Sequence, residues 1–427
     1  MQLKKVNSIL KEVLEKIEPS KEDLKLIDDS LREILKRIKE GLKKQKIKAE
    51  VFIGGSFAKN TVIKKDKYDV DVFIRFDKKY KGKDISKITG EIIKEAGDIS
   101  IIHGSRDYFK IKISPEINVE VIPVIKVSNP KDSENITDLS YSHVKYIRDK
   151  IKSDKLVNDI RIAKAFCHAN QCYGAESYIK GFSGYALELL VFNYKGFINF
   201  LEQMLKVKEQ QVIDIEKYYK NKKQVMLDLN SSKLDSPIIL IDPTFKQRNA
   251  LAALSKETFK KFQEAAKRFL SNPTINAFES KRIDKDKIKG KFGKKAEVIF
   301  LSAETEKQEG DIAGSKLLKF YKHLEKEIGK YFIIKESSFE YESGKKSVFY
   351  YAVKKKKEIL LNGPKLEDKK NVESFKKEHK NVFEKDKRIY SKEKVNFTIK
   401  EFLDSWKRKN NKKIKQMYIK NLSIIEK

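Results

Sequence analysis

Val51-Phe52-Ile53-Gly54-Gly55-Ser56, followed after a lysine-rich interval by Tyr68-Asp69-Val70-Asp71-Val72-Phe73-Ile74-Arg75-Phe76, is the stretch on which the fold turns. A strand rises about 3.3 Å per residue and alternates its side chains, so Asp69 and Asp71 share one face. Val70, Val72, Ile74 and Phe76 then fill the other. Sites that hold two divalent cations roughly 3.5–4 Å apart need carboxylates fixed close together on a stiff element, and acids at i and i+2 of a buried strand satisfy that need. Upstream, Gly54 and Gly55 let backbone N–H groups approach phosphate oxygens, and Ser56 adds a hydroxyl donor. Alone, the glycine pair reads as a turn and the acid pair as an exposed strand face. Their closeness in the chain makes them one candidate site.

Working outward, Tyr108–Ile113 and Ile117–Ile125 alternate as the arms of a hairpin across Ser114-Pro115-Glu116. Glu120 lies between Val119 and Val121 in the second arm. A carboxylate there needs a cation or donor to offset desolvation, which leaves two readings: a third ligand beside Asp69 and Asp71, or a salt bridge to a lysine. The chain supplies metal ligands, cradle donors and lysines without a Ser–His or Cys–His pair. That set suits phosphoryl transfer by positioning and charge neutralisation, with no covalent intermediate.

A chain of 427 residues, 40% of them apolar, predicts two or three domains. Its net charge of +32 favours a polyanionic partner, nucleic acid above all, over a membrane. Met1-Gln2-Leu3-Lys4-Lys5 leads into a charged amphipathic helix without the apolar core of a signal peptide, so a cytoplasmic protein is expected. No apolar run is long enough for a membrane span. Cys167 and Cys172 have no His or Cys neighbours at zinc spacing and read as reduced structural thiols.

Leu3, Val6, Ile9, Leu10, Val13, Leu14 and Ile17 predict a first helix, which Pro19-Ser20 ends. Ser20 with Asp23 opens a second, whose stripe runs from Leu24 to Leu42. Lys64-Lys65-Asp66-Lys67 reads as a solvated loop, and a helix follows around Ile85–Ala96. A helix over Leu156–Gln171 turns Ile160, Ala163 and Cys167 inward and leaves Arg161, Lys164 and His168 on its flanks. The apolar helix Tyr185–Tyr194 centres a second core, with Tyr185 in it; a strand Pro237–Asp242 and a helix Asn249–Leu270 follow. His103 and His168 read as surface or packing residues. In the last third, strands Ala296–Leu301 and Ser347–Val353 flank a helix Lys316–Ile328. There Val348-Phe349-Tyr350-Tyr351 running into Lys354–Lys357 reads either as stacking surface beside backbone-binding lysines or as a lysine-protected edge strand.

Several motifs stand in one order: Gly54-Gly55-Ser56-Phe57-Ala58-Lys59, Asp69-Val70-Asp71, Val119-Glu120-Val121-Ile122-Pro123, Arg161–Cys167, Tyr173-Gly174-Ala175-Glu176, Gly181-Phe182-Ser183-Gly184-Tyr185, and Asp242-Pro243-Thr244 with Arg248-Asn249. The set resembles the archaeal, class I CCA-adding enzymes, tRNA nucleotidyltransferases of the polymerase-β-like superfamily. The resemblance implies an α+β multidomain chain. A polymerase-β-like nucleotidyltransferase head, a mixed sheet with flanking helices, would span residues 1–148. A helical neck would span 149–272, and a basic α/β body and tail that bind tRNA would span 273–427.

The resemblance also implies template-independent addition and repair of the 3′-terminal CCA of tRNA from CTP and ATP, by two-metal nucleotidyl transfer with pyrophosphate release. Asp69, Asp71 and Glu120 would hold two Mg2+ ions. Gly55, Ser56 and Lys59 would meet the triphosphate from the head, and Lys164 and Tyr173 from the neck. His143 falls at a nucleotide-contacting histidine, and Arg248 at the arginine that helps select the base. A homodimer is compatible with the family pattern. The chain departs from that pattern at three places: Glu120 replaces an aspartate, Lys59 replaces an arginine, and the segment around His143 lacks its proline. The extra methylene of Glu120 shifts a carboxylate by about a bond length in a geometry-sensitive site, and Lys59 exchanges a fork for a point charge. Two other readings are another RNA terminal nucleotidyltransferase of the poly(A) polymerase or oligoadenylate synthetase type, and a catalytically weakened tRNA-binding homologue.

Overall fold

The computed structural model describes residues 2–280, 282–341 and 343–425. The side chains of Gln2 and Leu3 are not among those described, so the place of Leu3 in the first apolar stripe lies outside the described residues. The chain divides into two compact units, Met1–Ser280 and Lys281–Lys427. No described helix is long and apolar enough to cross a membrane.

The first unit opens with helices α1 (Gln2–Ile17) and α2 (Lys21–Lys44). Ser20 and Asp23 close a capping box, the Asp23 N–H donating to Ser20 Oγ at 3.0 Å and the Ser20 N–H to Asp23 Oδ2 at 3.1 Å. A five-stranded sheet follows, built from β1 (Ala49–Ile53), β2 (Tyr68–Phe76), β3 (Asp98–Ile102), β4 (Tyr108–Lys112) and β5 (Ile117–Ile125), with the short helix α3 (Gly55–Ala58) and helix α4 (Ile85–Ile93) between strands. Its order is β1-β2-β5-β4-β3. Only β2 and β5 pair in parallel, so the sheet is mixed and its two acid-bearing strands are neighbours. Val70, Val72, Ile74, Phe76, Val119 and Val121 are buried in one core with Ile27, Leu31, Ile34 and Ile38 of α2 and Ile92 and Ile93 of α4. That burial sets which face β2 turns inward and leaves Asp69 and Asp71 on the other.

The second core of this unit is helical: α5 (Ser140–Lys150), α6 (Asp154–Ala169), α7 (Gly184–Asn193) and α8 (Phe197–Lys206), then β6 (Gln211–Ile213), α9 (Lys222–Asp228), β7 (Ile238–Asp242), β8 (Phe245–Asn249) and α10 (Lys256–Ser271). Phe166, Phe182, Phe197, Phe200, Phe262 and Phe269 are buried at its centre. Val6, Leu10 and Val13 of α1 join this helical core, not the sheet core that follows them in sequence. Cys167 and Cys172 are buried free thiols, as expected. The helix expected from Asn249 begins instead at Lys256, where the Ser255 side chain accepts from Thr258 N–H. Asn249 ends β8, paired with Ile241 of β7, and its Oδ1 accepts from the Leu240 and Leu251 N–H groups. Arg161 and Lys164 are also not flanking residues of α6: both are buried, Lys164 against the buried Glu188 and Thr61, and Arg161 with its guanidinium on Glu18, Asn60 and Asn158.

The second unit carries α11 (Lys285–Phe292), β9 (Glu297–Thr305), α12 (Asp311–Tyr331), β10 (Phe332–Glu340), β11 (Lys346–Lys355), β12 (Glu358–Lys365), α13 (Lys369–Glu378), β13 (Val382–Lys385), β14 (Arg388–Lys394), α14 (Ile399–Lys409), α15 (Asn411–Gln416) and β15 (Ile419–Ile424). One sheet runs β10-β11-β9-β15 and another β12-β14-β13. Both expectations for the aromatic run are overturned, since β11 is an interior strand with its rings buried. Phe349, Tyr351 and Val353 pack into a core with Leu317 and Phe320 of α12, and Tyr350 and Ala352 into a core with Phe300. A strand covered on both faces shows an unbroken apolar run, which sequence cannot tell from an exposed aromatic stripe.

Candidate active site

The parallel register of β2 and β5 sets Asp71 opposite Glu120 and Asp69 opposite Asn118. Asp69, Asp71 and Glu120 therefore lie on two adjacent rigid strands. Gly55 adopts φ +60°, and a Cβ on it would stand 1.8 Å from Asp71 Oδ2, so only glycine lets the turn close over that carboxylate. The Gly54 N–H donates to the Asp71 carbonyl at 2.8 Å, tying the turn to β2.

Burial pushes the Asp71 carboxyl up to about 6, with Lys59 opposing the rise and the Asp69 charge adding to it. Burial likewise raises Glu120 to about 7, helped by Asp71 and Asp69 and opposed by Lys110. Burial acts on Asp69 as well, yet the Lys110 ammonium and Asn118 keep it below its ordinary value. Lys110 Nζ stands 2.8 Å from Asp69 Oδ1 and 3.7 Å from Glu120 Oε1. Both sequence readings of Glu120 thus meet in one place: it is in register with the acid pair and it faces a lysine. Among the described residues, no three Asp, Glu, His or Cys side chains converge tightly enough to hold an ion as they stand. The donor set nonetheless fits Mg2+: hard carboxylate oxygens on adjoining strands, two of them raised by burial and by neighbouring carboxylates, with an ammonium lodged where positive charge is wanted.

Lys59 and Lys164 converge on an acid the sequence reading missed, Glu188 of α7. Lys59 Nζ lies 2.6 Å from Glu188 Oε2, and Lys164 Nζ 2.8 Å from Oε1. Thr61 Oγ1 donates to Glu188 Oε1 at 2.9 Å, and Lys164 Nζ also donates to Thr61 Oγ1 at 2.7 Å. Burial opposes ionisation of Glu188, but Lys164 and Lys59 hold it down to about 2. Burial and the like charge of Lys59 bring Lys164 down to about 8 despite Glu188. Ser56, Lys65, Asp69, Lys164, His168 and Tyr173 line a pocket open to solvent. The His168 ring stacks on Tyr173 at 3.9 Å, while Gly184 leaves room for the Tyr173 hydroxyl, which a Cβ there would meet at 2.8 Å. His103 stays on the surface, 2.9 Å from Asp107.

His143 and Arg248 meet at Asp242, a fully buried acid at the end of β7. His143 Nε2 is 3.0 Å and Arg248 NH1 2.6 Å from Asp242 Oδ2, while Tyr185 OH donates to Oδ1 at 3.0 Å. Thr244 donates to Oδ1 through both N–H and Oγ1. Burial opposes the Asp242 charge, yet His143 and Arg248 hold it far below the carboxylate range. Burial lowers His143 in turn, against the pull of Asp242. Tyr185 packs partly buried against the helical core, as expected, and also joins this cluster, its ring stacked on His143 at 4.1 Å. The signal for Glu188 was a lone acid in an otherwise apolar helix, and for Asp242 an acid ending an all-apolar strand.

Residues 158–279 match the family described as tRNA nucleotidyltransferase, second domain. Residues 4–152 match the Second Messenger Oligonucleotide or Dinucleotide Synthetase domain. A CCA-adding enzyme of Nanoarchaeum equitans is 44% identical over 49% of this chain and 52% of its own length, so the match spans about half of that relative. The CCA-adding enzyme of Methanocaldococcus jannaschii is 29% identical over 90% of this chain and 87% of its own. That of Methanococcus maripaludis is 30% identical over 78% of this chain and 74% of its own. Among solved structures, the Cid1 RNA terminal uridylyl transferase superposes with a TM-score of 0.51 at 14% identity, over 65% of this chain and 98% of its own, a likeness of fold alone.

Proposed function

Because this chain belongs to the CCA-adding enzymes, tRNA nucleotidyltransferases with an α+β, polymerase-β-like fold, we infer that it builds and repairs the 3′-terminal CCA of tRNA from CTP and ATP. The observation that carries the reading is the register of Asp71 with Glu120 beside Asp69, on a sheet flanked by the Lys59–Glu188–Lys164 cluster. In this reading residues 1–148 are the catalytic head, 149–272 the neck and 273–427 the body and tail. Asp69, Asp71 and Glu120 would hold two Mg2+ ions, whose chemistry there would be charge neutralisation for an in-line displacement at the α-phosphate. The Gly55 backbone, Ser56 and Lys59 orient the triphosphate from the head, and Lys164 and Tyr173 do so from the neck. His143 and Arg248, aligned by Asp242, present donors to the incoming base. Glu120 helps to activate the attacking 3′-hydroxyl.

The test is incubation with tRNA stripped of its 3′ end, Mg2+, CTP and ATP, each nucleotide withheld in turn. CTP alone is expected to stop after two additions, and both nucleotides together to complete CCA. Long tails of a single nucleotide are the result expected of a terminal polymerase. Two further outcomes follow from the same reading. Affinity for tRNA falls steeply with ionic strength, as counterion release from a chain of net charge +32 requires, and a flat salt dependence in a filter-binding titration removes the basic-surface argument. Glu120→Asp retains or raises the addition rate, because the shorter carboxylate stays on the same strand position opposite Asp71. Loss of all addition in that variant would mean that Glu120 is not the third ligand.

A further inference from the structure

Lys110 of β4 lies directly across the antiparallel β4–β5 ladder from Glu120, so the strand register aims its side chain at the acid site. Its ammonium reaches Asp69 Oδ1 at 2.8 Å and Glu120 Oε1 at 3.7 Å. Asn118 Nδ2 donates to the same Asp69 oxygen at 3.0 Å, so that oxygen already has two donors. We propose that Lys110 is the resident counter-ion of the Asp69–Asp71–Glu120 site, and that a divalent cation must displace it, which sets the affinity of the site for metal.

The proposal rests on the metal reading of these carboxylates and adds a positioning residue to it. Three acids on two adjacent strands repel one another, and without a cation the sheet must hold them against that repulsion. One ammonium spanning two of them relieves part of it while leaving a surplus of negative charge for a stronger cation. When a divalent ion approaches Asp69 and Glu120, it competes with Lys110 for the same oxygens and is repelled by its charge. Lys110 therefore weakens metal binding while it steadies the metal-free site. Its side chain is 27% exposed, so the ammonium is not sealed in the core.

The test measures metal directly on the full chain, without nucleotide or tRNA. Mn2+ binding followed by electron paramagnetic resonance is compared for wild type, Lys110→Met, Lys110→Arg and Asp71→Asn, with thermal unfolding in EDTA and in MgCl2. Lys110→Met is expected to bind Mn2+ roughly five- to tenfold more tightly, the scale of one partly exposed ion pair. It also melts lower than wild type in EDTA and gains more from MgCl2, because tighter binding to the folded state adds stability by mass action. Lys110→Arg keeps the charge and stays within about twofold of wild type, which keeps the comparison readable should the methionine variant fold poorly. Unchanged or weaker Mn2+ binding in Lys110→Met, with binding abolished in Asp71→Asn, overturns the counter-ion role alone. Equal Mn2+ binding in wild type and Asp71→Asn overturns the metal reading of the carboxylates, and this proposal with it.

Discussion

Exchange of Asp69 for alanine is expected to lower kcat for nucleotide addition by at least on the order of 10³-fold, equivalent to about 4 kcal/mol of transition-state stabilisation. The Asp69 side chain is 49% exposed and its partners are one lysine and one asparagine, so the fold should lose no more than about 1 kcal/mol. Affinity for tRNA should change by less than about twofold, because phosphate gripping draws on the basic surface and not on an acid. Single-turnover addition beside a binding titration separates the two. A variant that still adds nucleotide at a tenth of the wild-type rate would falsify the assignment of Asp69 to the metal set. Equal loss of addition and of tRNA binding would point to a structural role.

The second large effect is on stability. Glu188→Ala leaves Lys59 and Lys164 buried without the carboxylate they share, and removal of one partner from such a group costs about 3–5 kcal/mol. Denaturant unfolding reads it, with Glu188→Gln as the milder comparison because the amide oxygen still accepts from Thr61 and Lys164. The same carboxylate predicts an acid transition. Its folded value is depressed to about 2 from an ordinary 4.5, so its stabilisation is complete above pH 4.5 and is lost as pH falls through the folded value. By that linkage the loss amounts to about 3 kcal/mol and is missing from Glu188→Gln. If wild type and Glu188→Gln lose stability in parallel between pH 4.5 and 2, Glu188 is not held ionised by the lysines.

The two effects differ in how readily their residues can be found in the sequence. Asp69 and Asp71 are legible because strand alternation is local: Val70, Val72, Ile74 and Phe76 alternate with them, and a buried face fixes the register. The hairpin carrying Glu120 is legible for the same reason. The Ser20–Asp23 capping box is local too, and both of its bonds are present. Lys110 stands across that same hairpin from Glu120, so this neighbour is local; its reach to Asp69 is not, because it depends on β5 pairing with β2. Glu188 and Asp242 were visible as acids in apolar runs, but the lysines at Glu188, and His143 and Tyr185 at Asp242, lie far away in sequence.

By itself, then, the sequence determined the periodic and short-range features of this protein. These are the acid pair on one face of β2, the glycine turn before it, the helices with continuous apolar stripes, the basic charge, and the ordered motifs that resemble the CCA-adding family. Only the tertiary structure decided which distant charges meet. It placed Lys59, Lys164 and Thr61 around Glu188, gathered His143, Tyr185 and Arg248 at Asp242, and turned Phe349, Tyr350 and Tyr351 into cores. It also resolved Gly54-Gly55-Ser56 from a generic turn into one closed over Asp71, since the 1.8 Å approach at Gly55 exists only once β2 pairs with β1. The physical reason is that periodicity is written in neighbouring residues, whereas a buried ion pair or a covered strand face is a property of segments brought together by packing.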